Sequence, residues 1–600
     1  MDAMTAQYIE VFKGANALRF GAGTLGGALN FVSRTALSDT TTSIKLEGGS
    51  YGSFGLTFTT GRRMGAWDVF AASTYNRQDG YRIYNQNRRL TASLNIGWRN
   101  KNKTLENRTF MHFTHLFFKM PGPLTLDQLM KDPKQVSAGV DLPFSMGPNI
   151  LRDKPYRSVD MVRIANQTGI HLSNTSNLSA SVYYQYANDW FAFPITISIP
   201  HSYHNDVGMT LFYNYAHARI QLSSGLLGSW GWIDRRTHIN KDGKASFMFA
   251  HDRLQAANLT GFVEVDYALK DRLHVVLDVH GVFNKRNSRD VFSDPSLRPW
   301  YSHMSGKYRY FYSNNSSQRR QYAAFNPRIG MIFNAVKHKD IQLFANISRS
   351  YEPPTFDELV GTEVTSNINT SPKKLFSIGL EKQTATTFEV GSKGRLRQLS
   401  WNVAYYHSWV NHEILEVKDY VRGLKRTENY PHTLHQGLEI GIQAASKPHF
   451  FGRNIGTFTL GAVYDYSRFI FKGGKYDGKY LAGIPKHYVN ASLDYRHSSG
   501  LNGSVALELK PGKTPIDHTN TMFQPAYHVW NARLGYQLGK HINVYAEIKN
   551  IANRRYASSY IVSDEIHQPA IPFPNFTAHQ LTFFIPGPVR SVYAGLTWRW

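Results

Sequence analysis

The feature that most constrains this chain is a period-two alternation of apolar and polar residues, broken into segments of roughly ten residues from about Thr41 to Trp600. Only an extended backbone turns such a pattern into two distinct faces, because successive side chains of a strand point to opposite sides. In the last segment Val592, Ala594, Leu596, Trp598 and Trp600 share one face, and Tyr593, Gly595, Thr597 and Arg599 share the other. Leu90 to Trp98 and His541 to Lys549 divide in the same way, with charges on one side only. No run of eighteen or more apolar residues occurs, which excludes a membrane-spanning helix on length. A membrane barrel stays open, since its alternating faces keep mean hydropathy low, here -0.39. A soluble sandwich would alternate too, its apolar face meeting a second sheet.

Connection lengths discriminate between the two. Outer-membrane barrels alternate short turns at one end with longer loops at the other. Short links are expected at Arg62 to Ala66, Lys270 to Arg272, Val336 to Asp340 and Lys393 to Gln398. Between them lie longer polar stretches, expected to be loops: Lys119 to Arg157, Trp190 to Asp206, Asp234 to Arg253, Asn287 to Arg319, Thr355 to Ala385 and Tyr560 to Arg590. The expected fold is all-β, a transmembrane antiparallel β-barrel of about 22 strands. Phe, Tyr and Trp make up 14% of residues, which suits strands. No internal repeat of solenoid or propeller type is present.

With no cysteine, disulfide frameworks, thiolate metal sites and cysteine nucleophiles are excluded together. No nucleophile with a recognisably spaced His and carboxylate emerges, so an enzyme is not expected. Lys and Arg total 68 against 43 Asp and Glu, a net +25 that implies anionic partners. The basic residues are spread over loops and not gathered on a helix or an aromatic sheet face, which argues against nucleic acid. MDAMTAQYIEVFKG lacks the basic region, apolar region and cleavage site of a secretory leader. The expectation is a misassigned start or a fragment of something longer.

Residues Ile9 to Val32, IEVFKGANALRFGAGTLGGALNFV, do not alternate like the rest. Their glycines Gly14, Gly21, Gly23, Gly26 and Gly27 permit positive φ, but no Gly-Lys-Ser/Thr ending marks a phosphate loop. The segment resembles the end of the plug domain of TonB-dependent receptors, IEVLRGP-ALYG-GA-GG-IN, matching it at Gly14, Gly21, Gly26, Gly27 and Asn30 among others, with Lys13 and Ala15 in place of the usual Arg and Pro. FNPRIG at Phe325 to Gly330 and SRSYEPPTFDEL at Ser348 to Leu359 are similar to the family's mid-barrel strand pair, TTFEVGSKG at Thr386 to Gly394, HQGLEIG at His435 to Gly441 and EIKNIANRRYASS at Glu547 to Ser559 to its later strands, and the terminal PGPVRSVYAGLTWRW to its closing strand, in the family's order. The resemblance implies a plug remnant over 1–36 and a barrel over 37–600, in the outer membrane of a Gram-negative bacterium. It implies a monomer that takes up a scarce ligand with energy from the inner-membrane TonB-ExbB-ExbD complex, and without a cofactor. The family's TonB box is absent from this chain, and most of a plug with it. A passive porin-like barrel is the alternative, and porins enter their barrel without a plug-like segment.

A ligand site is expected in the long connections. Between Asn287 and Arg320 lie Arg289, Arg298, Lys307, Arg309, Arg319 and Arg320, against Asp290 and Asp294. Cations above a lumen would draw in an anionic chelate and present donors to its oxygens, so Arg298, Arg309 and Arg319 are candidate contacts. The blander reading pairs them with lipopolysaccharide phosphates or water. Trp190, His201, Tyr203 and His204, with Tyr81 and Tyr84 in an earlier loop, offer flat rings for stacking, and otherwise serve as an interfacial girdle beside outer-membrane lipid. His201 and His204 could chelate a metal, although on a loop this spacing is weak and no metal site is assigned. Haem receptors of the family carry FRAP and NPNL motifs; YEPPTFDEL followed by TSPKKL has neither, which favours a ferric siderophore or citrate-like chelate. Cobalamin, copper or haem would use the same frame.

Overall fold

The computed structural model describes residues 6–21, 26–140, 146–193, 198–294, 298–302, 307–311, 316–336, 340–364, 373–419, 424–450, 453–563 and 583–600. Among them, 22 antiparallel strands close into one barrel, from Ser43–Gly49 to Ser591–Arg599. The first strand pairs with the last, Ser43 opposite Arg599 and Gly49 opposite Tyr593, and so no edge is left open. Strand lengths range from 7 residues in Ser43–Gly49 to 27 in Lys244–Lys270.

The alternation decides which face looks out. On Gln318–Asn334 the exposed large side chains are Phe325, Ile329, Met331 and Phe333, while Tyr322 and Asn326 on the alternate face are buried. Leu277, Val279 and Phe283, and Leu596, Trp598 and Trp600, are likewise exposed on the outer wall. An apolar patch encircling the whole molecule is untenable in water and suits hydrocarbon. Trp67, Trp598 and Trp600 edge it at the end that carries the short turns. The inner face is polar: Asp68, Asn95, Arg108, Asp278, His280 and Asn326 all point to the lumen side and are buried there.

Three of the expected short links, Arg62 to Ala66, Lys270 to Arg272 and Lys393 to Gln398, hold turns, the strand Gln383–Leu396 reaching closer to its turn than expected; Val336 to Asp340 lies partly outside the described residues. Two expected loops are instead strand. Trp190 to Asp206 lies largely on Ser176–Phe191 and Ser198–His217. Asp234 to Arg253 is a tall hairpin, Ile220–Lys241 and Lys244–Lys270, turned by Asp242 and Gly243 at positive φ. Backbone pairing continues there past the apolar belt, so polar composition on both faces reads as loop. Two smaller hairpins, Arg298–Ser302 with Lys307–Phe311 and Val360–Val364 with Lys373–Ser377, occupy parts of other long connections. The connection 120–155 contains two short helices, Leu126–Lys131 and Ile150–Asp153, the first started by a Thr125 and Gln128 capping box.

Before the barrel, Ala6–Phe12 pairs with Ala28–Ser33 in a separate two-stranded sheet, and a 3-10 helix, Gly14–Phe20, follows the first of these strands. Gly27 has φ +131, and a Cβ there would meet the Phe12 carbonyl oxygen at 2.7 Å, which no side chain tolerates. Asn30 donates through Nδ2 to Glu10 Oε2 at 2.7 Å across the pair.

Candidate functional site

The N-terminal sheet lies inside the lumen. Lys13 forms an ion pair with Glu439 on the inner wall, and the Arg19 guanidinium stands 5.8 Å from the centre of the Phe262 ring. The chain then leaves along the wall. Arg63 Nε donates to the Ala36 carbonyl at 2.7 Å, and Ala36 packs on Phe70 and Ala72. Asn95 Nδ2 holds the Arg34 carbonyl at 2.7 Å, itself braced by Arg108, whose two terminal nitrogens grip both Asp68 oxygens at 2.8 Å. Such a bidentate, buried pair orients strongly. Between sheet and wall a cavity of about 580 Å³ is bounded by Lys13, Arg19, Glu264, Arg328, Glu389 and Glu439. Arg328 reaches Glu264 at 3.4 Å and Asp278 at 3.6 Å, so charges of both signs face this space and largely compensate.

A second cavity, of about 370 Å³, opens beside Phe20 and Gly21, the tip of the N-terminal segment. Its lining includes Tyr183, Thr210, Ser229, Asn258, Arg286 and Glu352. Arg286 donates to Asn258 Oδ1 at 2.9 Å and to the Lys285 carbonyl at 3.1 Å, both uncharged acceptors. Directly across the strand pair stands Arg320, whose Nε donates to Gln318 Oε1 at 3.4 Å. Among the described residues neither guanidinium forms an ion pair. Two like charges facing each other across strands are mutually destabilising, by up to about 1 kcal/mol. An anion held between them would reverse that sign.

Three long connections pack over part of the rim. Leu124, Leu129, Ile516, Ala557, Phe583 and Phe584 form an apolar cluster, all buried. Leu124 and Phe584 exchange backbone hydrogen bonds at 2.7 and 3.0 Å, and Ser563 N donates to the Ile516 carbonyl at 3.0 Å. Arg82 is buried and donates to the carbonyls of Pro121, Gly122 and Gln135, tying 79–86 to this cap. Burial pushes its guanidinium down to about 10, which leaves it charged at neutral pH. The buried Asp517 carboxylate accepts from Thr519 Oγ1 at 2.5 Å, Thr521 N at 2.8 Å and Met522 N at 3.0 Å.

The expected contacts separate into different places. Tyr81 lies in the 79–86 connection, its hydroxyl donating to the Pro586 carbonyl at 2.6 Å, with burial pushing its pKa up. Tyr84 is there as well, with Lys119 Nζ 4.9 Å from its ring centre. Trp190, His201 and Tyr203 belong to strands and face outward: the Trp190 and His201 rings stack at 3.6 Å, and Tyr203 lies 4.4 Å beyond. His204 faces the lumen, because residues three apart on a strand fall on opposite faces, and so His201 and His204 cannot form a chelating pair. Arg319 faces outward like Phe325, and its neighbour Arg320 faces in. The side chains of Arg298 and Arg309 lie outside the described residues; their backbones form the small hairpin given above. The Arg286 and Arg320 pair was missed as a pair; strand alternation across 280–290 and 318–328 was the signal that could have found it.

A family model described as TonB dependent receptor-like, beta-barrel, matches residues 12–551. Among solved structures, the chain is similar to the ferric yersiniabactin uptake receptor FyuA from Yersinia pestis, at 13% identity over 99% of this chain and 85% of that one, TM-score 0.76. It is similar to the siderophore receptor PiuA from Acinetobacter baumannii, at 12% identity over 99% of this chain and 86% of that one, TM-score 0.73. The copper transporter OprC gives 12% identity, 100% and 87% coverage, and TM-score 0.73. At these identities the likeness carries the fold, and each named ligand belongs to the protein named.

Proposed function

The chain belongs to the TonB-dependent receptors, and from that premise we propose that it takes up an anionic ferric chelate, of siderophore or citrate type, through its lumen. The family consists of transporters and receptors of the Gram-negative outer membrane that work with TonB, and outer-membrane placement with the long connections outside is the reading adopted for this chain. The observation that supports an anionic ligand is Arg286 in the wall of the second cavity with Arg320 directly across the strand pair, neither in an ion pair among the described residues. Two planar guanidiniums offer forked donors to carboxylate, hydroxamate or catecholate oxygens, and Tyr183, Thr210 and Asn258 add neutral partners. Phe20 and Gly21 close the site from the plug side, which fits a segment 1–36 that forms the end of a plug and could carry movement of the plug to the ligand. A monomer, as a closed barrel without free edges permits, is part of the same proposal.

The test is titration of the purified protein, in detergent, with ferric citrate, a ferric catecholate and a ferric hydroxamate, followed by quenching of its tyrosine and tryptophan fluorescence. At least one should bind, and the double substitution Arg286→Gln with Arg320→Gln should weaken it more than tenfold. Equal binding by the double variant removes the site. Binding of cobalamin or a copper complex in place of every ferric chelate removes the iron reading and leaves the fold untouched.

A further inference from the structure

The ring has no end strand, yet one of its joints reaches only part of the way up. Gln318–Asn334 and Ile341–Glu352 pair from Asn334 and Gln342 to Arg328 and Ser348, seven pairs from the turn, and there the ladder between them stops. Both strands run on, the first through 318–327 and the second through 349–352, each still paired on its other side. The residue at the fork is Pro327, which has no N–H to give the next rung. Side chains bridge the slit instead: Lys382 donates to the Ala323 carbonyl, and the Tyr322 hydroxyl to the Leu380 carbonyl at 3.3 Å. Because the Ala323 carbonyl faces the slit, the amides of Arg319, Gln321 and Phe325 face it as well, and among the described residues they have no backbone partner there. A groove of about 460 Å³ lies along it, its lining including Ala323, Phe325, Pro327, Arg349 and Thr384. Tyr351 is wedged into the slit. Leu343, Ile347 and Arg349 mark its phase as outward, and it pairs with Thr384, yet it is 1% exposed and its hydroxyl donates to Asn284, on the inner face beyond Gln318–Asn334. Asn284 Nδ2 donates in turn to Asn258 Oδ1 at 2.7 Å, the same atom that accepts from Arg286.

We propose that this fork is a movable joint in the wall, with Tyr351 as the wedge that holds it open. In its second position the ladder runs on in the same register, Pro327 opposite Arg349, Phe325 opposite Tyr351 and Ala324 opposite Glu352, and the Tyr351 ring swings out beside Phe325. The slit begins at the depth of the lipid. Seven residues rise roughly 23 Å along a strand, or roughly 18 Å of height at the usual tilt, within an apolar band about 25 Å tall. Phe325, just above the fork, is 63% exposed. Open backbone donors and acceptors are unfavourable against hydrocarbon, which draws the joint shut. The missing Pro327 donor and the Tyr351 hydrogen bond act in the other direction, and opposed terms keep two positions within reach of each other. Closing takes Tyr351 off Asn284, so the register of the wall and the chain Tyr351, Asn284, Asn258, Arg286 beside the second cavity change together. The inference rests on the outer-membrane placement of the barrel and is independent of what the lumen transports.

The chain has no cysteine, so engineered pairs report on the joint without interference. Gly330→Cys/Asn346→Cys, within the formed ladder, is the reference, and Ala324→Cys/Glu352→Cys is the closed-joint pair. Both are oxidised in the purified full chain in lipid bilayers, with folding read by heat-modifiable gel mobility. The closed-joint pair should cross-link to completion, at least tenfold more slowly than the reference, and at least fivefold faster once Tyr351→Ala removes the wedge. Should Tyr351→Ala fail to fold, Asn284→Ala, which removes the wedge's acceptor and leaves Tyr351 in place, should accelerate it at least twofold. Amide exchange is the second readout: Arg319, Gln321 and Phe325 should exchange at least tenfold faster than Arg320, Tyr322 and Ala324, whose amides face the paired strand. Absence of the closed-joint cross-link means a rigid slit, cross-linking as fast as the reference means a ladder already closed, and an unaltered rate without the wedge removes the role of Tyr351. Each of these, or equal exchange by the two sets of amides, would overturn the proposal. None of these outcomes touches the ferric-chelate reading, which has its own readout in the lumen.

Discussion

On one arc of the rim, connections distant in sequence bring Leu124, Ile516 and Phe584 into a buried apolar cluster, with Arg82 and Asp517 saturating backbone donors and acceptors around it. On a neighbouring arc, Ser198–His217, Ile220–Lys241 and Lys244–Lys270 continue upward as paired strands, with ion pairs such as Asp234 to Arg236 on their faces and Asn240 at the hairpin tip donating to the Asp153 carbonyl at 2.6 Å. The first arc is a small tertiary fold of its own, stable through side-chain burial. The second owes its height to ladder hydrogen bonds, each of which survives loss of any one side chain. Core mutations should therefore act steeply on the cap and weakly on the tall hairpins.

Phe584→Ala offers the largest test. Removing a buried Phe costs about 3–5 kcal/mol, and amide hydrogen exchange across 511–526 and 583–586 should accelerate more than a hundredfold while Lys244–Lys270 is unchanged. Acceleration in both would show that the arcs unfold together. Asp517→Ala strands the amides of Thr521 and Met522, and a loss of about 2–3 kcal/mol should lower the cap's resistance to proteolysis, with barrel mobility on gels intact. A smaller effect comes from His518. Burial pushes its pKa from 6.5 down to about 4, and its Nδ1 accepts from Ala482 N at 3.2 Å, which requires that nitrogen unprotonated. Between those values the opened cap binds a proton that the closed cap does not. Cap stability is thus full above pH 6.5 and falls as pH drops toward 4, on the order of 1 kcal/mol lost by pH 5.5. Exchange of the 511–526 amides should rise accordingly on acidification, and His518→Gln should flatten the profile; an unchanged slope would assign the effect to other groups. Asp234→Asn on the tall hairpins is the mildest case, about 0–1 kcal/mol, and the thermal midpoint should not move measurably.

Much of the barrel was legible because its information is local. Val592, Leu596 and Trp598 declare an outward face by spacing alone, and Gly27 marks a point where only glycine fits. The upper parts of the tall hairpins were read as loops, since above the lipid both faces meet water and the alternation fades, although the backbone pairing persists. The same fading put weight on Arg319 as a ligand contact when its neighbour Arg320 is the one turned inward. Nothing local in LTLDQLM or FIPGP signals that Leu124 and Phe584 meet, for their contact depends on how three connections cross the rim.

Period two therefore fixed the wall: a strand's faces follow from covalent geometry, and a membrane-facing surface needs apolar residues wherever it lies. Which inward and outward groups come together was settled by closure and register. The pairing of Arg286 with Arg320 and of Arg253 with Arg289 depends on how adjacent strands align, and that alignment is a sum of many weak cross-strand contacts that no single segment contains.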